Sequence, residues 1–389
     1  MLSNPEKIIF VILALGSIGG SYFTFGRMFR IIMSGSQPLN WLDVIKNWKP
    51  GVSAFINQNT LFKTRPVIGF IHALVAWGFT LYLLVNIIDV IYGFIPNFKF
   101  FPNSFFGDIY RLFVDIFSIV VLIGVFYFLV RRFVIKDNRL FIRESVMLSE
   151  KAQKGMRSDS LIVGSFIIIH VGSRLLSASF EIALYGPDLS QPAANLVASL
   201  WGNMATDTMH IMEHTTWWLA LGLILLFMPY FPYSKHAHLF MGPLNLMAAV
   251  DRKSMSAIEI IDFEDDNLEQ FGASKVEHLP QTQLLDGYAC IQCSRCQDAC
   301  PAYETGKELS PSAIEINKRY FFNEHSAILA NGESINKALT EWMLTEEAAW
   351  SCTTCGYCID VCPVGNEPMV DILRARQDLV MMESKFPKD

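Results

Sequence analysis

The chain of 389 residues is 52% apolar, only 17% charged, and carries a formal net charge of −6. Lacking basic excess, it has none of the phosphate-neutralising character of a nucleic-acid binder, and its positive mean hydropathy excludes an ordinary water-soluble chain. The average hides a split: residues 1 to about 235 hold long apolar runs, and the remainder is polar.

A bilayer core is crossed by about 20 residues rising about 1.5 Å each. On that criterion the sequence predicts five transmembrane helices, at about 8–31, 66–91, 109–131, 160–183 and 211–231. The first is long, lacks a small-x-small cleavage site and ends with Arg27 and Arg30, so it is expected to remain as an uncleaved span. Lys46, Lys49, Lys63 and Arg65 lie between spans one and two, and eight basic residues from Arg131 to Arg157 lie between spans three and four. The other two loops hold only Lys99 and no basic residue at all. Positive loops stay cytoplasmic, so an integral protein of the cytoplasmic (inner) membrane is expected, with its N-terminus outside and its C-terminal region inside. Trp41, Leu42, Ile45 and Trp48 recur at helical spacing and predict a helix lying in the interface. The aromatic loop Gly93 to Gly107 is expected at the outer headgroup level.

Histidine inside a span is costly, so each one marks a functional site by default. His72 lies just inside the second span near its cytoplasmic end, and His238 follows the last span at the same face. Two neutral imidazoles at matching depth on different helices suit a six-coordinate haem iron, which makes His72 and His238 the candidate axial pair of one haem b. Structural histidines bonded to backbone are the alternative. His170 in span four and His214 in span five form a candidate second pair. His210 is read as capping its helix or meeting headgroups, and His236 as a surface neighbour of His238. Among the charges within the spans, Arg174 is a candidate partner for a haem propionate, and Asp115, Glu181 and Glu213 are candidate proton carriers for a quinone. Ion pairs that steady helix packing are the competing reading.

From Arg252 to about Gln283 the chain turns acidic, with Asp262, Glu264, Asp265, Asp266 and Glu269, and reads as a solvated linker. All eight cysteines then fall into two copies of one pattern: Cys290-x2-Cys293-x2-Cys296-x3-Cys300-Pro301 and Cys352-x2-Cys355-x2-Cys358-x3-Cys362-Pro363. Two such runs are a ligand set for two [4Fe–4S] clusters, in which the fourth cysteine of each run serves the other cluster. The expected sets are Cys290, Cys293, Cys296 and Cys362 on one cubane, and Cys352, Cys355, Cys358 and Cys300 on its partner. Structural zinc would show ligand pairs across a longer loop, and disulfides would need an oxidising compartment. No cysteine remains as a thiol nucleophile. Between the runs, residues 311–350 alternate apolar and charged positions with helical period, as in Ile314, Ile316, Tyr320 and Phe321, so the ferredoxin is expected to be helix-rich.

The stretch Arg65-Pro66-x5-His72-x4-Trp77-Gly78-Phe79, with Pro232-Tyr233-Ser234-Lys235-x2-His238, resembles the cytochrome b subunit of respiratory nitrate reductase. Fused to a double-cluster domain, it is similar to membrane-bound relatives of heterodisulfide reductase. The chain departs from the nitrate reductase pattern where a second haem would be held, since those positions are Tyr82 and Ala220. The resemblance implies that the catalytic iron–sulfur site sits on a separate cytoplasmic redox subunit, and that menaquinone or ubiquinone is the mobile substrate.

The expected fold is therefore all-α: a transmembrane cytochrome b domain over residues 1–240, a linker over 241–283, and an α-helical ferredoxin domain with two [4Fe–4S] clusters over 284–389. The expected role is an electron-transfer subunit passing electrons between the quinone pool and its cytoplasmic partner. The rivals are a self-contained quinone reductase fed by a soluble donor, and a haem-free anchor whose clusters are structural.

Overall fold

The computed structural model describes residues 2–95, 98, 104–249, 261–264 and 269–387. Lys99, the centre of the loop after Gly93, and Arg252, Asp265 and Asp266 of the acidic stretch lie outside them. Among the described residues the chain is helical, without a strand. It packs as two compact units that interleave in sequence: Met1–Phe23, Val67–Ile135 and Ser160–Tyr230 form the first, and Thr24–Pro66, Lys136–Asp159 and Phe231–Asp389 the second.

Five helices long and apolar enough to cross a bilayer frame the first unit. They are α1 (Asn4–Met33), α2 (Pro66–Phe94), α3 (Phe105–Leu129, prolonged to Val134 by a π turn), α4 (Glu150–Tyr185) and, after the short α5 (Pro192–Ala198), α6 (Thr206–Trp217). α6 runs on through a π segment, Trp218–Gly222, and Leu223–Phe227 to a 3₁₀ turn ending at Tyr233. All five expected spans are present. α4 starts earlier than its apolar run because its polar first turns contain no proline and pack within the second unit: a Cβ on Gly155 would meet the Tyr320 ring, and Ala152 and Met156 are buried against Ile316.

Ile8, Ile12, Leu15 and Ile18 form an apolar stripe on α1, each more than 60% exposed. A stripe of that size calls for lipid or another apolar surface to cover it. α2 and α3 close tightly where small residues meet the partner: a Cβ on Gly78 would fall 2.4 Å from Val121, and one on Gly124 2.5 Å from Val75. Asp115, buried within α3, is committed to structure. Its carboxylate accepts from the Ala193 and Ala194 amides at 2.7 and 3.0 Å and so caps α5.

The second unit is built around α7 (His238–Ala248), α8 (Gln281–Ala289), α9 (Pro311–Glu324) and α10 (Pro368–Met381). Ser310 starts α9 by accepting from the Ala313 amide at 3.2 Å, with Pro311 in the first turn, and Pro368 opens α10 likewise. Leu284, Leu285, Tyr288, Ile314, Phe322 and Met343 form its core together with Ile31 and Ile32 from the end of α1. Each such aliphatic side chain contributes about 1.5–3 kcal/mol on burial. The segments between spans are part of this unit. The Gln281 amide donates to Met33 O at 2.9 Å while its oxygen accepts from the Leu39 amide at 3.0 Å. Gln297 donates to Phe141 O at 3.0 Å, and Asn317 to Met147 O at 3.0 Å. Trp41, Leu42, Ile45 and Trp48 are exposed, but the single helix expected for them is divided at Asn47 into Trp41–Lys46 and Trp48–Asn57.

Candidate functional site

Each cysteine run leaves a helix and coils at once. α8 ends where the Cys290 amide still donates to Asp286 O at 2.9 Å. Gln292 and Ser294 then take positive φ, 55° and 58°, and Thr354 and Gly356 do the same at the equivalent offsets after Cys352, 53° and 74°. Left-handed residues at two alternate positions bend the chain so that three cysteines face one volume, and holding non-glycine residues there is a cost that functional loops bear. Backbone amides meet the sulfurs: Gln292 N donates to Cys290 Sγ at 3.4 Å, Thr354 N to Cys352 Sγ at 3.4 Å and Asn366 N to Cys362 Sγ at 3.3 Å.

The fourth cysteines cross over. Cys290, Cys293, Cys296 and Cys362 line one cavity, closed by Pro363 and Val364. Cys300 instead interacts with Cys352 and Cys355, and Cys358 with Cys352, Cys300 and Cys355. Burial, with Glu315 adding to it, pushes the Cys290 thiol up to about 12. Burial pushes Cys358 up to about 12 and raises Cys296 and Cys362 well above the ordinary thiol range. Thiols so buried release their protons to a strongly bound cation rather than to solvent. Four converging sulfurs with amide donors fit a [4Fe–4S] cluster in each group.

Arginines fix these loops. Arg65, buried, donates to Cys293 O at 2.9 Å and pairs with Asp298. Arg376 donates to Cys352 O at 2.6 Å and Ala349 O at 2.7 Å. Arg143 lies over the Tyr303 ring at 4.1 Å and donates to the Tyr303 carbonyl, just beyond Cys300.

The histidines have separate surroundings. His72 lies on α2 with its ring edge-on to Phe128 at 6.4 Å. His238 opens α7, and its Nδ1 donates to Lys235 O at 2.6 Å. His236 is buried beside it rather than on the surface, because Ser234 caps the turn and accepts its amide at 3.0 Å. His170 Nδ1 donates to Ala220 O at 2.8 Å, within the π segment of α6, and its ring stacks on Phe166 and meets Tyr82 edge-on at 5.6 Å. Tyr82 is tied to Ser118 at 2.6 Å. His214 Nδ1 donates to Glu6 at 2.9 Å. No described contact joins His170 to His214.

Two assembled features go beyond the sequence reading, which names Arg174, Glu181, Glu213 and His214 only singly. One is a buried ionic group of Asp286, Glu315, Lys318 and Asp371 beside the first cysteine loop. The other is a cavity of about 300 Å³ in the first unit, lined by Asp89, Arg174, Glu181, Glu213 and His214 among others. For the cavity a signal existed, since charges stand in otherwise apolar spans. For the ionic group none did, since its members are scattered in sequence.

A family model described as a 4Fe-4S dicluster domain matches residues 286–366, which contain both cysteine runs. The chain is 30% identical to "Probable iron-sulfur-binding oxidoreductase FadF" of Bacillus subtilis (strain 168), over 85% of this chain and 50% of that protein. It is 27% identical to "EtfAB:quinone oxidoreductase" of Syntrophomonas wolfei, over 98% of this chain and 56% of that protein. A shorter match, 27% identical over 34% of the chain and 22% of the relative, is to "Probable membrane-anchored ferredoxin" of Chromohalobacter salexigens. The chain spans about half the length of the first two relatives. No solved structure matches it. The chain thus combines five candidate membrane spans with a 4Fe-4S dicluster domain.

Proposed function

We propose that the protein is a membrane-anchored electron-transfer subunit. In this reading electrons pass between a quinone in the bilayer and a cytoplasmic redox partner, by way of haem b and two [4Fe–4S] clusters. The observation that carries it is the crossed grouping of the cysteines in a chain that also holds five apolar spans. Cys290, Cys293, Cys296 and Cys362 would ligate one cluster, and Cys352, Cys355, Cys358 and Cys300 the other. The relatives named as an iron–sulfur oxidoreductase and as EtfAB:quinone oxidoreductase support quinone as the membrane reactant. The soluble partner would then be a counterpart of EtfAB, or a heterodisulfide reductase-like subunit bearing the catalytic iron–sulfur site. When bound, these groups supply one-electron chemistry, and the chain contributes ligation, dielectric and fixed charge.

For the haem we assign His72 and His238. With Nδ1 of His238 donating to a carbonyl, Nε2 is the nitrogen that would ligate iron. A second haem on His170 and His214 requires their Nε2 atoms on opposite faces of one porphyrin. His170 is enclosed by Phe166 and Tyr82 while His214 faces the polar cavity, and we favour a single haem.

Iron, sulfide and pyridine haemochrome measured together on the purified chain test this. Two four-iron clusters and one b-type haem are expected; zinc in place of iron removes the cluster assignment, and absence of a b-type α band removes the haem. His72→Ala and His238→Ala should each abolish the same haem, and either variant retaining it breaks the pairing. A second haem that disappears in His170→Ala would establish the second pair.

A further inference from the structure

We propose that the polar cavity of the first unit binds a quinone headgroup, and that Glu213, His214 and Glu6 exchange its protons with water. The proposal rests on the quinone-linked reading above and locates its site. The cavity lies where α2 and α4 end and α6 begins. Arg174 and Asp89, paired at 3.3 Å, face it together with Glu181 and Glu213, and Tyr92 and Trp217 add aromatic faces. Charged groups inside spans are expensive and are kept for function or for pairing. Pairing accounts for Arg174 with Asp89. It does not account for Glu181, whose carboxylate meets no hydrogen-bond donor among the described residues, in contrast to Asp115.

The chemistry of the walls selects the ligand. A quinone ring is flat and apolar with two carbonyl oxygens, so it suits aromatic walls, a guanidinium donor, and acids close enough to follow each oxygen's protonation. A soluble anion would be repelled, because Asp89, Glu181, Asp188 and Glu213 outnumber Arg111 and Arg174. A metal ion would need converging ligands, and the groups of them described above, acidic and cysteine, lie in the other unit. Oxidation of a quinol breaks its two O–H bonds. The two protons pass to the carboxylates, and the two electrons leave one at a time to the one-electron centres that the chain would hold; reduction is the reverse.

His214 makes this cavity a proton-exchange site rather than a sealed one. It lines the cavity and also a shallower recess with Glu6, His210 and Trp218. Its Nδ1 donates to Glu6 at 2.9 Å, and Glu6, in the first turn of α1, also accepts from Ser3 Oγ at 2.7 Å and Trp218 Nε1 at 3.1 Å. The imidazole thus stands between the cavity and a carboxylate at the aqueous end of the bundle.

The test uses the full chain with its metal centres, in phosphatidylcholine nanodiscs, photolabelled with a short-tailed azidoquinone and mapped by peptide mass. Labelling within residues 174–181 or 213–221, competed by menadione, is expected; labelling confined to other segments overturns the site. Glu181→Gln and Glu213→Gln should slow reoxidation of the dithionite-reduced chain by menadione by about tenfold or more, with cluster and haem content unchanged. Wild-type rates in both variants, or loss of haem from Arg174→Leu, overturn it. His214→Phe should keep the photolabel yet slow reoxidation, and an unchanged rate eliminates the proton route. A wild-type chain that reduces no quinone defeats the wider reading. A wild-type chain that does so, with the cavity unlabelled, defeats the cavity alone.

Discussion

Lys318 lies on α9 with its ammonium 2.6 Å from Asp371 Oδ2, 3.1 Å from Glu315 Oε2 and 2.9 Å from the Gln283 carbonyl, its side chain wholly buried. Asp286 completes the group, accepting from Asn245 Nδ2 at 2.7 Å and the Glu367 amide at 2.9 Å. Burial opposes the ammonium, but Asp371, Glu315 and Asp286 outweigh it and hold its pKa above the ordinary lysine value. Burial raises the acids in turn, Asp286 to about 7. Lys318→Met leaves buried carboxyls without their cation and should cost about 3–5 kcal/mol in urea unfolding of the cluster-loaded chain. The sign with pH follows from the raised acids. The stability given by their neutral forms is complete below their unfolded values and is lost as pH rises through the folded ones. The deficit should therefore deepen between about pH 5 and about pH 8, and a small, pH-independent deficit would refute the account. The cysteines were legible because ligation is written in local spacing. Lys318 was not: on an alternating helix such as α9 its charge reads as the solvated face, and Asp286 and Asp371 are distant in sequence.

At the scale of elements, the five spans were legible because length and hydropathy suffice to define them, whereas their ends were not. α4 gains its polar first turns, and a helix that passes from apolar to polar sequence leaves no hydropathy signal for its start. The join after α1 shows the same limit. Gly35 approaches the start of α8 so closely that a Cβ would sit 2.5 Å from the Gln281 amide nitrogen and 2.8 Å from the Pro280 carbonyl carbon. Both are backbone atoms that do not give way, and the adjoining bonds, Ser36 N to Leu279 O at 2.9 Å and Gln281 N to Gln37 O at 3.0 Å, depend on that approach. Gly35→Ala should destabilise the chain by about 1–3 kcal/mol, read as a lower unfolding midpoint and faster proteolysis at residues 34–40. An unchanged midpoint would show that the two segments are not held together as described. From sequence alone Gly35 reads as a turn residue, because its demand arises from a segment far along the chain.

For the whole molecule, the composition of the second unit checks the number of spans independently of charge. Thr24–Pro66 joins α1 to α2, Lys136–Asp159 joins α3 to α4, and Phe231 onward follows α6, yet these stretches pack as one body. They have to emerge on one side of the bilayer, which an odd number of crossings before the C-terminal stretch satisfies and an even number does not. Lys46, Lys49, Lys63, Lys136, Arg139, Arg143, Lys151 and Lys154 lie in the first two of these stretches, so by the positive-inside rule that side is expected to be the cytoplasm. A reducing compartment is also where iron–sulfur thiolates persist. With epitope tags at each end, protease added to spheroplasts should remove the N-terminal tag and spare the C-terminal one, and inverted vesicles should show the opposite. Both tags on one side would break the five-span parity. Tags on opposite sides but exchanged would preserve the parity and reverse only the charge-based orientation, so one experiment separates the packing argument from the electrostatic one.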